Sequence, residues 1–425
     1  MKRSFSAAFC RVAIFLLLFL PSLSVCGQSY QSFVSTLEQI KERIRFKIGP
    51  LGITPVIRFK NVGYDSNVYY QHEDNDPVSD FTATFSPEIQ AYLLFRDYLI
   101  LSLVENPEYV YYHEEKRERR WNNMLSTEFK LLFLNRFVIS GKYYYRDHRR
   151  RATSEFDVRA NEMISSYSGQ LFYETARKSS FGLSGFTGKF SYEDVTQPGE
   201  EIYLSRDLNR TETGGIFEFY YRIFAKSFFF TTVGHTDYEF EYPESRWRDS
   251  YSYQVYTGVR FPRLGSVGGI LSVGYKKLIP RVEDKESFSG LVGNTRLNFR
   301  LWRFGIRLSS EYDCHFSYWT NNIYFTEDRY GVGISFYLTR FLRMDYDLSR
   351  AKTRYPEPVS VRMPDGSYEE ILRRDRYRNH SVGLAFRIIE NTGIGIVVNF
   401  WERESNYYWE NRKRGFIGTY ITYEF

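Results

Sequence analysis

From Ile53 to the last residue, large apolar side chains recur at every second position, in segments of about ten to eighteen residues. A period of two is that of an extended strand whose faces meet different surroundings. Gly293, Thr295, Leu297, Phe299 and Leu301 share one face, opposed by Asn294, Arg296, Asn298 and Arg300. Phe304, Ile306, Leu308, Ser310 and Tyr312 oppose Arg307, Ser309 and Glu311. Phe137, Ile139, Tyr143 and Tyr145 oppose Ser140, Lys142 and Arg146, and Leu342, Met344, Tyr346 and Leu348 oppose Arg343, Asp345, Asp347 and Ser349. An Arg or Lys facing lipid at mid-membrane costs about 2–4 kcal/mol in a barrel, so this segregation predicts hydrocarbon outside and water inside.

The punctuation is regular as well. Very short turns fall at 96–97, 135–136, 177–179, 225–226, 263–266, 302–303, 339–340 and 390–391. They alternate with longer polar loops near 65–80, 113–120, 149–156, 194–207, 243–249, 280–286, 319–322, 355–372 and 403–411. Tight turns on one side and long loops on the other predict an all-β, antiparallel up-and-down transmembrane barrel of about 18 strands, with 16 as the fallback. Both ends then lie on the short-turn side. The longest loop holds Pro364-Asp365-Gly366 between Val359–Arg362 and Ser367–Glu370, which predicts a hairpin standing outside or folded into the mouth.

Before the strands, Phe33, Leu37, Ile40 and Ile44 recur at helical spacing beside Glu38, Lys41, Glu42 and Arg43. Residues 30–48 are expected to form a short amphipathic helix, at the mouth or tucked into the lumen, ended by Gly49 and Pro50. Upstream, Lys2, Arg3 and Arg11 precede an apolar stretch from Val12 to Leu20, Pro21 and the small residues from Ser24 to Gly27. This is the layout of a Sec signal peptide. The expected division is 1–27 signal peptide, 28–50 periplasmic helical segment and 51–425 barrel. No later segment reaches the ~18 consecutive apolar residues of a spanning helix.

Composition fits two unlike faces: aromatics make up 19% of the chain and charged residues 25%. The 57 basic and 51 acidic residues, less the three cations of the leader, leave a net charge near +3, and no basic block stands apart to suggest nucleic acid. Beyond Cys10 and Cys26 the only thiol is Cys314, so a disulfide framework is excluded.

The final run, Ile417 to Phe425, sets Ile421, Tyr423 and Phe425 on the apolar face. A last strand closing on Phe resembles the insertion signal of bacterial outer-membrane barrels, read by the barrel assembly machinery. The stretch Gly63-Tyr64-Asp65-Ser66-Asn67-Val68, after Gly52-Ile53-Thr54-Pro55, resembles the opening of an uncharacterised family of β-barrel porins in Gram-negative outer membranes. Phe336 to Arg340, Asp345-Tyr346-Asp347 and Arg350 resemble that family's late hairpins. The resemblance implies a bacterial outer-membrane location and either an unassigned porin or exopolysaccharide export; it carries no catalytic residue. Locally, Asp65 and Asn67 read as good turn residues.

The expectation is a porin-like passive channel for small polar solutes or ions. Lys142, Arg146, Arg296, Arg300, Arg307, Arg343, Asp345, Asp347 and Arg387 would line its pore, with Asp237 and Glu239 adding acid. Inward Tyr92, Tyr144, Tyr220, Tyr256 and Tyr337 would fill space or stack a saccharide. Partners are outer-membrane lipid and lipopolysaccharide, the assembly machinery and the solute; oligomeric state is left open. Tyr109, Tyr111, Tyr112, Tyr407, Tyr408 and Trp409 read as an outer aromatic girdle.

Catalytic and metal candidates are sparse, and no cofactor, metal or catalytic residue is assigned. His113-Glu114-Glu115-Lys116-Arg117 lacks the second His of a zinc-protease helix, and the acidic loop from His72 to Asp76 lacks a calcium-loop pattern. His235 with Asp237, and Asp313 with His315, could form histidine–carboxylate pairs of an outer-membrane hydrolase, but no nucleophile accompanies them. A soluble propeller would need a blade repeat, and none is seen.

Overall fold

A computed structural model describes residues 33–425 except 154, 156–157, 176–178, 198–199, 225–226, 265 and 320, so the signal peptide lies outside the described residues. The alternating segments become eighteen antiparallel strands. The first six are β1 (Leu51–Asp65), β2 (Asp80–Phe95), β3 (Leu99–Glu105 and Glu108–Tyr112), β4 (Arg120–Phe133), β5 (Phe137–Arg151) and β6 (Arg159–Glu174). Next come β7 (Ser179–Tyr192), β8 (Arg210–Phe224), β9 (Ser227–Phe240), β10 (Ser250–Leu264), β11 (Val267–Pro280) and β12 (Phe288–Leu301). The last six are β13 (Phe304–Phe316), β14 (Tyr324–Tyr337), β15 (Leu342–Arg354), β16 (Arg374–Ile389), β17 (Thr392–Ser405) and β18 (Arg412–Glu424). Each pairs with the next, and β1 pairs with β18, so the sheet closes on itself and has no free edge.

Closure has local requirements. Gly63 of β1 lies opposite Gly418 of β18, and a Cβ on Gly63 would collide with the backbone at Ile417 and Gly418. Just before it, Asn61 takes a left-handed φ of 53° and the register slips between Phe59 and Val62, a bulge that bends β1 into the seam. In β3 the ladder is interrupted at Asn106-Pro107, where Pro107 has no N–H to donate. The register is the same on both sides of the gap, and Asn106 patches it by exchanging backbone bonds with Met124 and donating its side-chain amide to the Pro87 carbonyl at 2.8 Å.

The exterior carries the apolar alternation. Leu291, Val273, Met344, Leu384 and Ile396 are exposed on one parity, and Ile421, Tyr423 and Phe425 share that outer face. This belt makes the chain a membrane-spanning barrel. The buried apolar clusters all lie on the inner parity or among the loops.

Helix α1 (Phe33–Arg43) is shorter than its sequence pattern. Phe46–Ile48 is instead a short strand that turns at Gly49-Pro50 and pairs back on Leu51–Ile53, so those two residues turn a hairpin rather than end the helix. Phe33, Leu37 and Ile40 pack against Tyr92, Leu94, Ile100, Leu132 and Val138, all inner-face residues of β2 to β5. The helix therefore sits inside the short-turn end of the lumen, against one wall. Lys41 ties it to Asp97 in the β2–β3 turn at 3.1 Å.

Candidate functional site

All nine charged residues expected at the pore fall on the inner parity of their strands. Five of them resolve into paired or stacked contacts along one arc, β12 to β15. Arg343 Nε donates to Asp345 at 2.8 Å, and the same carboxylate accepts from Ser335 Oγ at 2.6 Å. Arg307 donates to Asp347 at 2.7 Å, and the Arg300 guanidinium lies 5.8 Å from the Tyr337 ring centroid. Arg387 reaches down to the carbonyls of Ile389 and Glu390 at the tight turn. On the facing wall Arg146 and Arg150 both hold Glu162 at 2.6 Å, while Lys142 lies over Tyr144. Arg296 and Arg300 are exposed on the inner wall and make no ion pair among the described residues.

Asp237 and Glu239 correct the expectation. In β9 the inner positions are Thr232, Gly234, Thr236 and Tyr238, so His235, Asp237 and Glu239 point outward. His235 Nε2 sits 2.9 Å from Asp237 and its ring stacks on the exposed Tyr253, while Arg281 bridges Asp237 and Glu239 at 3.2 Å each. The first of the two candidate hydrolase pairs thus forms, but outside the lumen, while the second does not assemble: Asp313 accepts from Lys276 at 3.0 Å, and His315 lies beside Phe325.

The long-loop end shows what sequence reasoning missed. Glu155, in the loop after β5, accepts from Ser317 Oγ at 2.7 Å and Tyr318 N at 2.8 Å, in the loop after β13. These loops stand eight strands apart in a cylinder of eighteen, so the contact spans the mouth from wall to wall. Arg248 donates to the Tyr318 carbonyl at 3.2 Å, and Tyr318 joins a buried cluster with Phe190, Tyr192 and Phe240. Leu204 and Leu208 of the one-turn helix α2 (Leu204–Leu208) complete it. Burial pushes the Glu155 carboxyl above the ordinary carboxylate range.

Beside this bridge, Arg373 pairs with Asp375 at 2.8 Å and Glu410 at 3.1 Å, and Arg403 holds the same Glu410 at 2.5 Å. The Arg373 guanidinium lies 4.1 Å from the Trp319 ring centroid, joining the two networks. The hairpin Val359–Arg362 with Tyr368–Ile371 is anchored at its base by Glu357, held by Lys285 of the loop after β11 at 2.9 Å. Tyr112 is buried with Val68 and Tyr69 under the mouth loops, and Tyr408 and Trp409 bond Asp74 and the Arg362 carbonyl. Those three belong to the mouth rather than to the girdle, which Tyr109 and Tyr111 do face.

The Gly63–Val68 motif also acquires a specific structure. Asp65, 1% exposed, receives Arg414 of β18 through both Nε and Nη2 and accepts from Asn67 N at 3.1 Å. Asn67 Nδ2 bridges the carbonyls of Gln71 and Lys413 at 2.9 Å each. The turn residues thus clamp first strand to last. In the acidic loop Glu73 pairs with Lys413 at 2.9 Å.

The sequence matches no family model and no curated protein. Among solved structures the barrel is similar to a BenF-like porin from Pseudomonas fluorescens Pf-5, with a TM-score of 0.50 and 9% identity over 89% of this chain and 99% of that one. It is also similar to OpdQ from Pseudomonas aeruginosa, with a TM-score of 0.48 and 8% identity over 89% and 98% of the two chains. Against the copper transporter OprC the TM-score is 0.48 and the identity 10% over 84% of this chain, which spans 62% of that protein's length. The chain has the fold of an outer-membrane porin.

Proposed function

We propose that this chain is an outer-membrane channel for passive diffusion of small polar solutes, with a preference for anions. The reading rests on one observation above others: Arg296 and Arg300 stand exposed on the inner wall without a carboxylate, whereas the neighbouring Arg307 and Arg343 are neutralised. A net positive arc in a confined aqueous path lowers the energy of a passing anion and raises that of a cation. No bond is broken in this mechanism. The outward position of His235 and Asp237 and the engagement of Asp313 by Lys276 support a conduit over a hydrolase. The bridge from Glu155 to Ser317 and Tyr318 is the gate we assign to the mouth, and α1 narrows the other end.

The finer partners follow from the same reading. Ile421, Tyr423 and Phe425 present the outward apolar edge that assembly machinery would recognise, and lipopolysaccharide would meet the outer rim. The test is conductance of the full-length protein in planar bilayers under a salt gradient. The expected result is an anion-selective reversal potential that moves toward cations in Arg296→Glu/Arg300→Glu. A non-conducting wild type, or a double variant with an unchanged potential, overturns the reading.

A further inference from the structure

The outer face of β15 and β16 changes character along its length. From the tight-turn end it is apolar: Met344, Leu348, Val382, Leu384, Phe386 and Ile388. Above Leu348, opposite His380, the same outward positions become Arg350, Lys352 and Arg354, facing Arg378, Arg376 and Arg374. Three successive cross-strand pairs are therefore cation against cation. Directly opposed like charges destabilise a sheet, so an anion must come from elsewhere.

The neighbouring strands supply part of it. Asp328 holds Arg354 at 2.9 Å, and Glu404 and Glu402 reach Arg378 at 3.3 and 3.6 Å. Arg350, Lys352, Arg374 and Arg376 have no ion pair among the described residues. The rim at β9 to β11 behaves differently, since Arg281 is satisfied there by Asp237 and Glu239.

Height identifies the missing anion. About ten residues of β16 separate Ile388 from Arg378; at about 3.3 Å per residue and a tilt of about 40°, that is about 25 Å along the membrane normal. This equals the apolar band of a transmembrane barrel, so the cations begin where hydrocarbon ends on the long-loop side. Tyr330 and the hydrogen-bonded pair Tyr346–His380 (3.1 Å) occupy the step between, as amphipathic rings do at an interface. We propose that Arg350, Lys352, Arg374 and Arg376 form a binding site on the outer wall for the phosphate groups of a lipid headgroup in the outer leaflet. The occupant is a lipid rather than a soluble anion because the cations continue upward from the acyl-chain belt on one uninterrupted face. The proposal rests on the membrane orientation used above, but not on conduction.

The test is native mass spectrometry of the full-length protein in detergent, with bisphosphorylated lipid A, the same lipid stripped of phosphate, and inorganic phosphate as competitor. The expected result is wild-type binding of the phosphorylated lipid only, undisturbed by equimolar inorganic phosphate. Binding falls by at least about tenfold in Arg350→Gln/Lys352→Gln/Arg376→Gln and stays intact in Arg281→Gln. Equal binding of the phosphate-free lipid, displacement by inorganic phosphate, or full binding by the triple variant would each overturn the proposal. The wild-type comparison of the two lipids needs no variant to fold. Conductance of the triple variant is expected to match wild type, so loss of the channel reading and loss of this site are read out separately.

Discussion

The two faces of β15 carry charge in opposite ways. Inside, Arg343 and Asp345 are matched to each other on β15 and Asp347 to Arg307 two strands away on β13, each within 2.8 Å. Outside, Arg350, Lys352 and Arg354 stand against Arg378, Arg376 and Arg374. Arg343 and Asp345 are largely buried, where an unmatched ion is costly, so the wall neutralises them itself, unlike the exposed Arg296 and Arg300 of the same lumen. The outer ones lie above the hydrocarbon, where water and lipid headgroups can neutralise them, so repulsion within the sheet is tolerated. Position relative to the bilayer, more than parity, decides which solution is used.

That contrast can be broken in four places. Asp345→Ala removes the carboxylate that holds the buried Arg343 guanidinium and is expected to cost about 3–5 kcal/mol, seen as a lower denaturant midpoint in detergent. Leu384→Arg, placing a cation in the apolar belt, is expected to cost about 2–4 kcal/mol on refolding into lipid. Asn399→Arg, on the inner face of β17, is expected to change stability by no more than about 0.5 kcal/mol in the same assay.

Third, the mouth bridge titrates. Burial of Glu155 on closure raises its pKa, outweighing the Tyr318 and Ser317 hydrogen bonds that favour the carboxylate, so the closed mouth is fully favoured below the unfolded value of 4.5 and weakens as pH rises through the raised one. Single-channel recordings are expected to show open time increasing with pH above that value, and Glu155→Gln is expected to abolish the dependence. The mildest of the four is Lys352→Glu, which replaces repulsion of Arg376 by attraction. It is expected to raise stability by about 0.2–1 kcal/mol in detergent while weakening retention of phosphorylated lipid.

Where hydrocarbon forced the alternation, the sequence was informative. Turn positions, strand number and the inner parity of Arg296, Arg307 and Arg343 follow from period two and the penalty on lipid-facing charge. The rule failed above the membrane. Val233, His235, Asp237 and Glu239 continue one parity outward past the belt, and charge ceases to mark the inner face once water lies on both sides. The Glu155 bridge was illegible for another reason: it joins loops 162 residues apart whose approach is set by barrel circumference, and no periodicity records that. The end of α1 was misplaced because Ile48 continues the helical stripe of Ile40 and Ile44, while the period-two alternation of Ile44, Phe46 and Ile48 is too short to mark a strand by itself.

The seam has a temporal implication. Asp65 and Arg414 are 349 residues apart, so their meeting is among the most non-local events open to this polypeptide. Bringing such distant segments together costs about 5 kcal/mol of chain entropy, repaid only as the ladder between β1 and β18 zips up. Until the final segment arrives, the nascent wall is a curved ribbon with two hungry edges, each a template for adhesion to a sister chain. Assembly must therefore shield the free edge of the first strand until the last strand is in place to pair with it.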